Sequence, residues 1–226
     1  VGAVLDTLKE HGATDNTLVL FTSDNGGLWH QWTPNEKDDL ARYRPTPRAK
    51  YTEQFGHRSN AHLRGTKADI WEGGHRVPFL IQWPDRVKPG SVSHQPIELT
   101  DVFATVMEIV GGPKAPDAAP DSFSFLPILD SMAPARSGRP FLIHHSLRGL
   151  FAIRQGHWKY VEARGSGGFS QPRQIQPKAG EPTGQLYNLA DDPSETTNLA
   201  SREKSVADRL SALLLSAKSG QRLRGK

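Results

Sequence analysis

Cysteine is absent from all 226 residues. Its absence removes disulfides, Cys-ligated zinc and an encoded Cys nucleophile from the chemistry open to these residues. It does not fix a redox compartment. Long hydrophobic runs are also lacking: no apolar stretch approaches the roughly 20 residues that cross a bilayer, and the first residues show no charged-then-apolar leader pattern. No asparagine opens an N-x-Ser/Thr sequon, no nucleotide-binding glycine fingerprint occurs, and no segment repeats another. The charge excess is small, net +4, and much of it sits in Lys218, Arg222, Arg224 and Lys226. A short basic tail is more often a solvated end than a binding site. No aromatic-interleaved basic patch accompanies it, so neither nucleic acid nor a membrane is an expected partner. What remains is 36% hydrophobic and 23% charged, the composition of an ordinary globular chain with one large domain or two smaller ones.

The most informative stretch is Leu18 to Gly27, read LVLFTSDNGG. A short apolar run that breaks into Thr22-Ser23-Asp24-Asn25 and two glycines predicts a fully buried strand. Buried parallel strands release their polar residues at the carboxyl end, where α/β sheets bind ligands. Asp24 offers a carboxylate and Asn25 an amide oxygen, hard donors suited to Ca²⁺, with Mg²⁺ second. The plainer alternative is an Asx-type turn that only ends the strand.

Upstream, Val1, Val4, Leu5 and Leu8 share one helical face and Gly12 supplies a stop. Such an opening reads as the middle of a domain and predicts a fragment. Downstream, Leu28 to Asn60 is polar and carries Trp29, His30, Trp32, Tyr43, Tyr51, Phe55 and His57. A connection this long is usually functional or disordered. Its aromatics and histidines suit a substrate-facing loop, with His57 the favoured single contact; a surface loop held by one or two aromatic anchors is the plain reading. Leu63 to Pro84 reads LRGTKADIWEGGHRVPFLIQWP, with a buried strand expected from Val77 to Trp83. Within it Lys67 lies between Gly65 and the Gly73-Gly74 turn, where it is either a solvated surface charge or a fixed cation facing an anionic substrate. Glu72 and Arg76 read as a structural ion pair or as turn ties.

Gln95 to Gly112 predicts a helix packed in the core through Leu99, Phe103, Val106 and Val110, capped by Thr100 or Asp101. Pro113 to Pro140 has the composition of a linker. Phe141-Leu142-Ile143, Leu150 to Ile153, His157 to Val161 and Gln185-Leu186-Tyr187 then predict an antiparallel meander. A last helix has Val206, Leu210, Leu213 and Ala217 on its apolar face. His144 and His145 are adjacent on a strand and point to opposite faces, so they cannot easily share a metal.

Taken together, SDNGG, LRGTKADIWEGGHRVPFLIQWP, ELTDVFATVMEIVG, IRQGHWKYVE and GQLYNLADDPSETTNLA resemble the formylglycine-dependent sulfatases of the alkaline-phosphatase-like superfamily, most closely the bacterial arylsulfatase A-like branch. The resemblance covers nearly the whole chain. It implies an α/β fold: the C-terminal part of an alkaline-phosphatase-like α/β sandwich over residues 1–138, then a small antiparallel sheet with a packed C-terminal helix over residues 139–226. It also implies Ca²⁺ ligation by Asp24 and Asn25, a catalytic Lys67 in contact with the sulfate, and a sulfate ester as substrate, aryl or carbohydrate. A periplasmic or extracellular location is implied by the family alone.

The family's nucleophile is a hydrated formylglycine made from Cys or Ser in a C/S-x-P/A-x-R motif. Near the amino terminus, where the family carries it, these residues have no such motif, and Ser131-Met132-Ala133-Pro134-Ala135 has Ala where Arg is needed. The chain therefore reads as the carboxyl-terminal half of a sulfatase, catalytically incomplete, with the other half of the same protein as its expected partner. Two alternatives are a phosphoester or phosphonate hydrolase of the same superfamily and a non-catalytic truncated or scaffold chain.

Overall fold

The computed structural model describes residues 1–28, 59–112, 118–130 and 138–220. Trp29, Trp32, Tyr51 and His57 therefore lie outside the described residues, as does the Ser131–Ala135 segment. The contacts divide the chain into two units. The first holds Val1–Asp24, Pro78–Leu142 and Ser216–Lys226; the second holds Asn25–Val77 and Ile143–Leu215.

The first unit begins with helix α1 (Gly2–Glu10). Leu5 and Leu8 are half-buried, whereas Val1 and Val4 are exposed. Strand β1 (Val19–Thr22) pairs antiparallel with β2 (Phe79–Gln82), Val19 opposite Gln82 and Phe21 opposite Leu80. The expected fully buried parallel strand is corrected here. No residue of β1 is buried, and the cross-strand pair Phe21 and Leu80 is 47% and 57% exposed. The other face packs inward through Phe79, whose ring meets Phe125 edge to face at 5.6 Å.

Helix α3 (Asp101–Ile109) forms where periodicity places it, yet it turns the other way. Its buried residues are Asp101 and Thr105, while Leu99, Phe103, Val106 and Val110 are all at least 40% exposed. The polar face is turned inward by an ionic knot. Arg139 grips the Asp101 carboxylate with Nε and Nη2, reaches Glu98 at 2.8 Å and donates to the Asp121 carbonyl at 2.6 Å. Asp101 also accepts from the Phe123 and Glu98 amides. A buried guanidinium and carboxylate hold one another only when their remaining hydrogen bonds are met, and that requirement fixes the helix rotation over its apolar stripe. Part of the expected linker is ordered as helix α4 (Leu126–Asp130), with Phe125 and Leu126 buried.

In the second unit, helix α2 (Glu72–His75) is one short turn. The predicted meander is present as a four-stranded sheet in the order β3 (Leu142–His145), β4 (Phe151–Gln155), β5 (Trp158–Val161) and β6 (Gln185–Asn188). Strands β4, β5 and β6 pair antiparallel, with Ile153 opposite Tyr160 and Tyr160 opposite Leu186. Ile70, Trp71, Ala152, Val161, Tyr187 and Leu189 form a continuous core. Helix α5 (Lys204–Lys218) buries Ala207, Leu210 and Leu214, a stripe rotated slightly from the one read off the sequence, and its Arg209 bonds Gln155 of β4.

A glycine-locked lysine loop as candidate functional site

The candidate site grows from three glycine-bearing turns of the second unit that interlock by backbone contact. Gly26 donates to the Gly74 carbonyl at 3.0 Å, and a Cβ on Gly26 would lie 1.7 Å from the Gly73 carbonyl oxygen. No side chain fits at that separation. Gly73 and Gly74 are equally confined, their virtual Cβ atoms 2.5 Å from the Arg64 carbonyl and 2.3 Å from the Asp69 carbonyl. The glycine pairs that mark the sequence are thus the places where main chains touch.

Gly27 then carries the tie to the lysine loop. Its amide donates to Asn60 Oδ1 at 2.6 Å, and its carbonyl accepts from Thr66 Oγ1 at 2.6 Å and from the Lys67 amide at 3.2 Å. Asn60 Nδ2 bridges to the Gly65 carbonyl at 3.0 Å. Two residues beside Lys67 adopt left-handed backbone, Gly65 at φ +88° and Ala68 at φ +79°. For alanine this conformation is costly and persists only where the surroundings over-determine it.

The surroundings do so here. The buried Asp69 carboxylate accepts from the Thr66 amide at 3.0 Å and from the Ser170 amide and hydroxyl. The Ala68 carbonyl accepts from Leu147 at 2.9 Å, and Ile70 donates to Ser166 at 2.9 Å. The GSGGFS turn, residues 165–170, is the clamp behind Lys67. Its ammonium is exposed and has no side-chain partner among the described residues.

Of the residues nominated from sequence, Asn25 and Lys67 are brought to neighbouring segments through Gly27. Asn25 is half-buried with its Nδ2 on the Gly26 carbonyl at 3.2 Å, and Asp24 is exposed directly after β1. Their oxygens are of the kind calcium takes, but about six to eight are needed. Among the described residues no three His, Asp or Glu side chains gather as a metal centre. The donor chemistry fits a calcium ion, and the donor number leaves most of its shell to other groups.

Behind the loop lies a charge cluster that the sequence reading missed in part. The expected tie between Glu72 and Arg76 is present, as a turn hydrogen bond at 2.7 Å and an ion pair at 4.0 Å to a mostly exposed Arg76. The close partner is the fully buried Lys159, whose Nζ lies 3.0 Å from Glu72 and 2.9 Å from Glu195. Glu195 Oε2 also accepts the Glu72 amide at 2.6 Å. Burial opposes ionisation of Glu72, yet Lys159 and Arg154 outweigh it and hold its pKa below the usual range. Burial lifts Glu195 above that range, assisted by Glu72 and against the pull of Lys159. Lys159 suffers the same burial, but the two carboxylates raise its pKa. The signal was strand parity: Lys159 points to the same side as Val161, which is fully buried.

His144 and His75 pack with ring centroids 4.2 Å apart and planes tilted by 45°. Burial, then the Lys159 charge, depresses both: His75 to about 4 and His144 well below its ordinary value. The two rings are neutral packing groups near neutral pH. His145 faces elsewhere, against Phe151 at 5.4 Å, as the alternation along a strand required.

Comparison with known proteins gives these features a common source. Residues 1–112 match the family model described as Sulfatase. The chain is 31% identical over 223 residues to an N-acetylgalactosamine-6-O-sulfatase of Bacteroides thetaiotaomicron, covering 96% of this chain and 39% of that relative. It is 37% identical over 154 residues to a steryl-sulfatase of Mus musculus, covering 68% of this chain and 22% of the relative. A solved structure from the glycosaminoglycan metabolism of Bacteroides thetaiotaomicron superposes with a TM-score of 0.76 at 30% identity, covering 96% of this chain and 42% of that one. The chain thus spans about two fifths of the first of those relatives and less of the second.

Proposed function

The chain belongs to the sulfatase family, with its alkaline-phosphatase-like α/β fold, and from that premise we propose that it serves the hydrolysis of sulfate esters by presenting Lys67 to the sulfate group. The observation that carries this reading is the exposed Lys67 ammonium, without a side-chain partner among the described residues, on a loop whose backbone is locked by Gly27, Asp69 and Ala68. A cation fixed in place before the substrate arrives needs no reorganisation as charge develops on the departing oxygens.

Asp24 and Asn25 supply two oxygen donors to a calcium ion, completed by ligands outside the described residues. When bound, that ion neutralises sulfate charge and polarises the S–O bond. Lys67 orients the sulfate from the other segment, hydrogen-bonding its oxygens and stabilising their charge as the ester bond breaks. The nucleophile is a formylglycine in this family; the stretch here that fits its precursor motif by letter, Ser205-Val206-Ala207-Asp208-Arg209, is wound into helix α5, and the chain works with a segment that provides the nucleophile. His57 contacts the leaving group. Residues 1–138 belong to the sulfatase α/β domain and residues 139–226 to a small carboxyl-terminal subdomain.

The substrate class is a carbohydrate sulfate. Support comes from the relative named for N-acetylgalactosamine 6-O-sulfate chemistry, which aligns with 96% of this chain. The exposed Phe21–Leu80 pair and the Phe103–Val106 stripe support a complementary part of the α/β domain packing on the first unit, because a two-stranded sheet is marginal by itself. A periplasmic or extracellular site of action follows the family; no helix among the described residues is long and apolar enough to cross a membrane.

In the complete enzyme, Lys67→Ala should lower kcat on the order of 10²–10³-fold while calcium content and thermal unfolding stay unchanged. Activity within about twofold of wild type, equal to roughly 0.4 kcal/mol of barrier, would return Lys67 to the role of a surface charge.

A further inference from the structure

A second concavity lies in the same unit. It has a volume of about 180 Å³, and Lys67 is not among the residues that line it. Its walls include Arg64, Trp71, Arg164, Pro172, Ile175 and Tyr187. The Arg64 guanidinium lies over the Trp71 ring, 3.7 Å from its centroid. Its Nη1 is committed to the Glu195 carbonyl at 2.6 Å and the Tyr187 hydroxyl at 3.3 Å. Arg164 bonds Glu181 through Nη1. For both guanidiniums, Nε and Nη2 have no partner among the described residues.

The remaining polar lining is already satisfied. Gln185 accepts from Trp71 and Tyr187 and donates to the Ala163 and Gly165 carbonyls. Asn198 accepts from the Leu186 and Ala200 amides and donates to the Gly184 carbonyl. No carboxylate lines the space. The cavity therefore offers a surplus of charged donors in a planar fork, the geometry that matches oxyanions, together with apolar walls from Pro172, Ile175 and Tyr187. It is smaller than the roughly 300–1,000 Å³ of pockets for drug-sized ligands, which limits the occupant to about one ring and its substituent.

We propose that this cavity binds a sulfate group carried on a single sugar ring, as a non-catalytic site apart from the lysine loop. A guanidinium pair reads the sulfate, and the apolar wall takes the ring face. Such a site would hold a neighbouring residue of a sulfated glycan chain independently of the group being hydrolysed.

Isothermal titration of the purified chain tests it with three probes: N-acetylglucosamine 6-sulfate, N-acetylglucosamine and inorganic sulfate. Binding of the sulfated sugar, weaker binding of inorganic sulfate and none of the unsulfated sugar are expected. Arg164→Gln removes a charged hydrogen-bond donor and should weaken the sulfated sugar about tenfold. The Arg164–Glu181 pair is partly exposed, 25% and 40% at the two side chains, so its loss should leave the fold intact; an unchanged thermal transition verifies this. Lys67→Ala should bind as wild type does. Equal affinity in Arg164→Gln and wild type overturns the proposal, as does equal binding of the unsulfated sugar. Equal affinity for inorganic sulfate makes this a free-oxyanion site and overturns the sugar assignment. Loss of binding in Lys67→Ala alone would move the ligand to the lysine loop, overturning the second site while leaving the proposed activity standing.

Discussion

The two units solve the problem of a buried charge in the same chain with opposite results for their surfaces. In the first, the Arg139–Asp101 knot pulls the polar face of helix α3 inward and leaves Phe103, Val106 and Val110 outside. In the second, Lys159 with Glu72 and Glu195 lies inside an apolar shell that includes Ile70, Trp71, Val161 and Tyr187. The Arg139–Asp101 knot is tied by hydrogen bonds, whereas in the second cluster Glu195 Oε1 is met only by the Lys159 charge at 2.9 Å. The first also buries Trp83, Phe125, Leu126 and Phe141, but the large apolar side chains with no exposure at all, Ile70, Ile153, Leu186 and Leu210, belong to the second. The lesson is that ion pairs set orientation and apolar burial sets self-sufficiency. The second unit should resist unfolding by itself, and the first should depend on what covers it.

The strongest way to break that contrast is Lys159→Met. It leaves Glu72 and Glu195 buried together without their cation, and should cost the second unit about 3–5 kcal/mol, read from urea unfolding of its tryptophan and tyrosine signals. A loss under about 1 kcal/mol would mean that the apolar shell alone suffices. Gly26→Ala comes next. Its methyl would meet the Gly73 carbonyl head on, so a cost near the upper end of overpacking, about 3 kcal/mol, is expected from the same measurement.

Acidification sharpens the comparison more gently. His75 is held at about 4, chiefly by burial and then by Lys159, and His144 is lowered for the same reasons. Unfolded histidines bind protons near pH 6.5. The unfolded state thus takes up protons first, and stability present above about pH 6.5 is lost as pH falls toward 4. His75 alone should cost about 2 kcal/mol at pH 5 relative to pH 7.5, seen as a lower thermal midpoint that His75→Phe flattens. Glu195, held above its normal range, works in the opposite sense, its contribution lost as pH rises through the raised pKa, whereas Glu72, held below its range, works in the same sense as the histidines and only below about pH 4.5.

The smallest effect is expected on the first unit. Phe21→Ser and Leu80→Ser lie on an open face and should each change the stability of the chain by no more than about 0.5 kcal/mol while raising its solubility. A loss above about 2 kcal/mol would show that this face is covered in solution.

How far these features could be read beforehand follows the range of the forces that make them. Turns and strand positions are local, so Asp24-Asn25, the Gly73-Gly74 turn and the meander stand where the pattern put them. Rotation of an element about its own axis is not local. Helix α3 has a regular apolar stripe, but Arg139, 38 residues from Asp101, decides which side faces in. The Lys159 cluster is longer in reach still, uniting positions 72, 159 and 195. Its lysine announced itself only through strand parity, and Glu195 only as a turn residue with φ at +53°. Lys67 was legible as a candidate; the clamp that presents it was not, because Asp69 and Ser170 are 101 residues apart.

The contact between Gly26 and Gly73 has a mechanical meaning. Two main chains separated by no side chain share almost no play, and the Gly27 carbonyl pins the Lys67 amide to the same block. Asn25 and the base of Lys67 therefore form one rigid part, like two prongs cast in a single piece. Motion of the lysine tip is left to its own four-carbon stem. Thermal wandering of either segment moves both, so their spacing survives fluctuations that would blur a site assembled from independent loops.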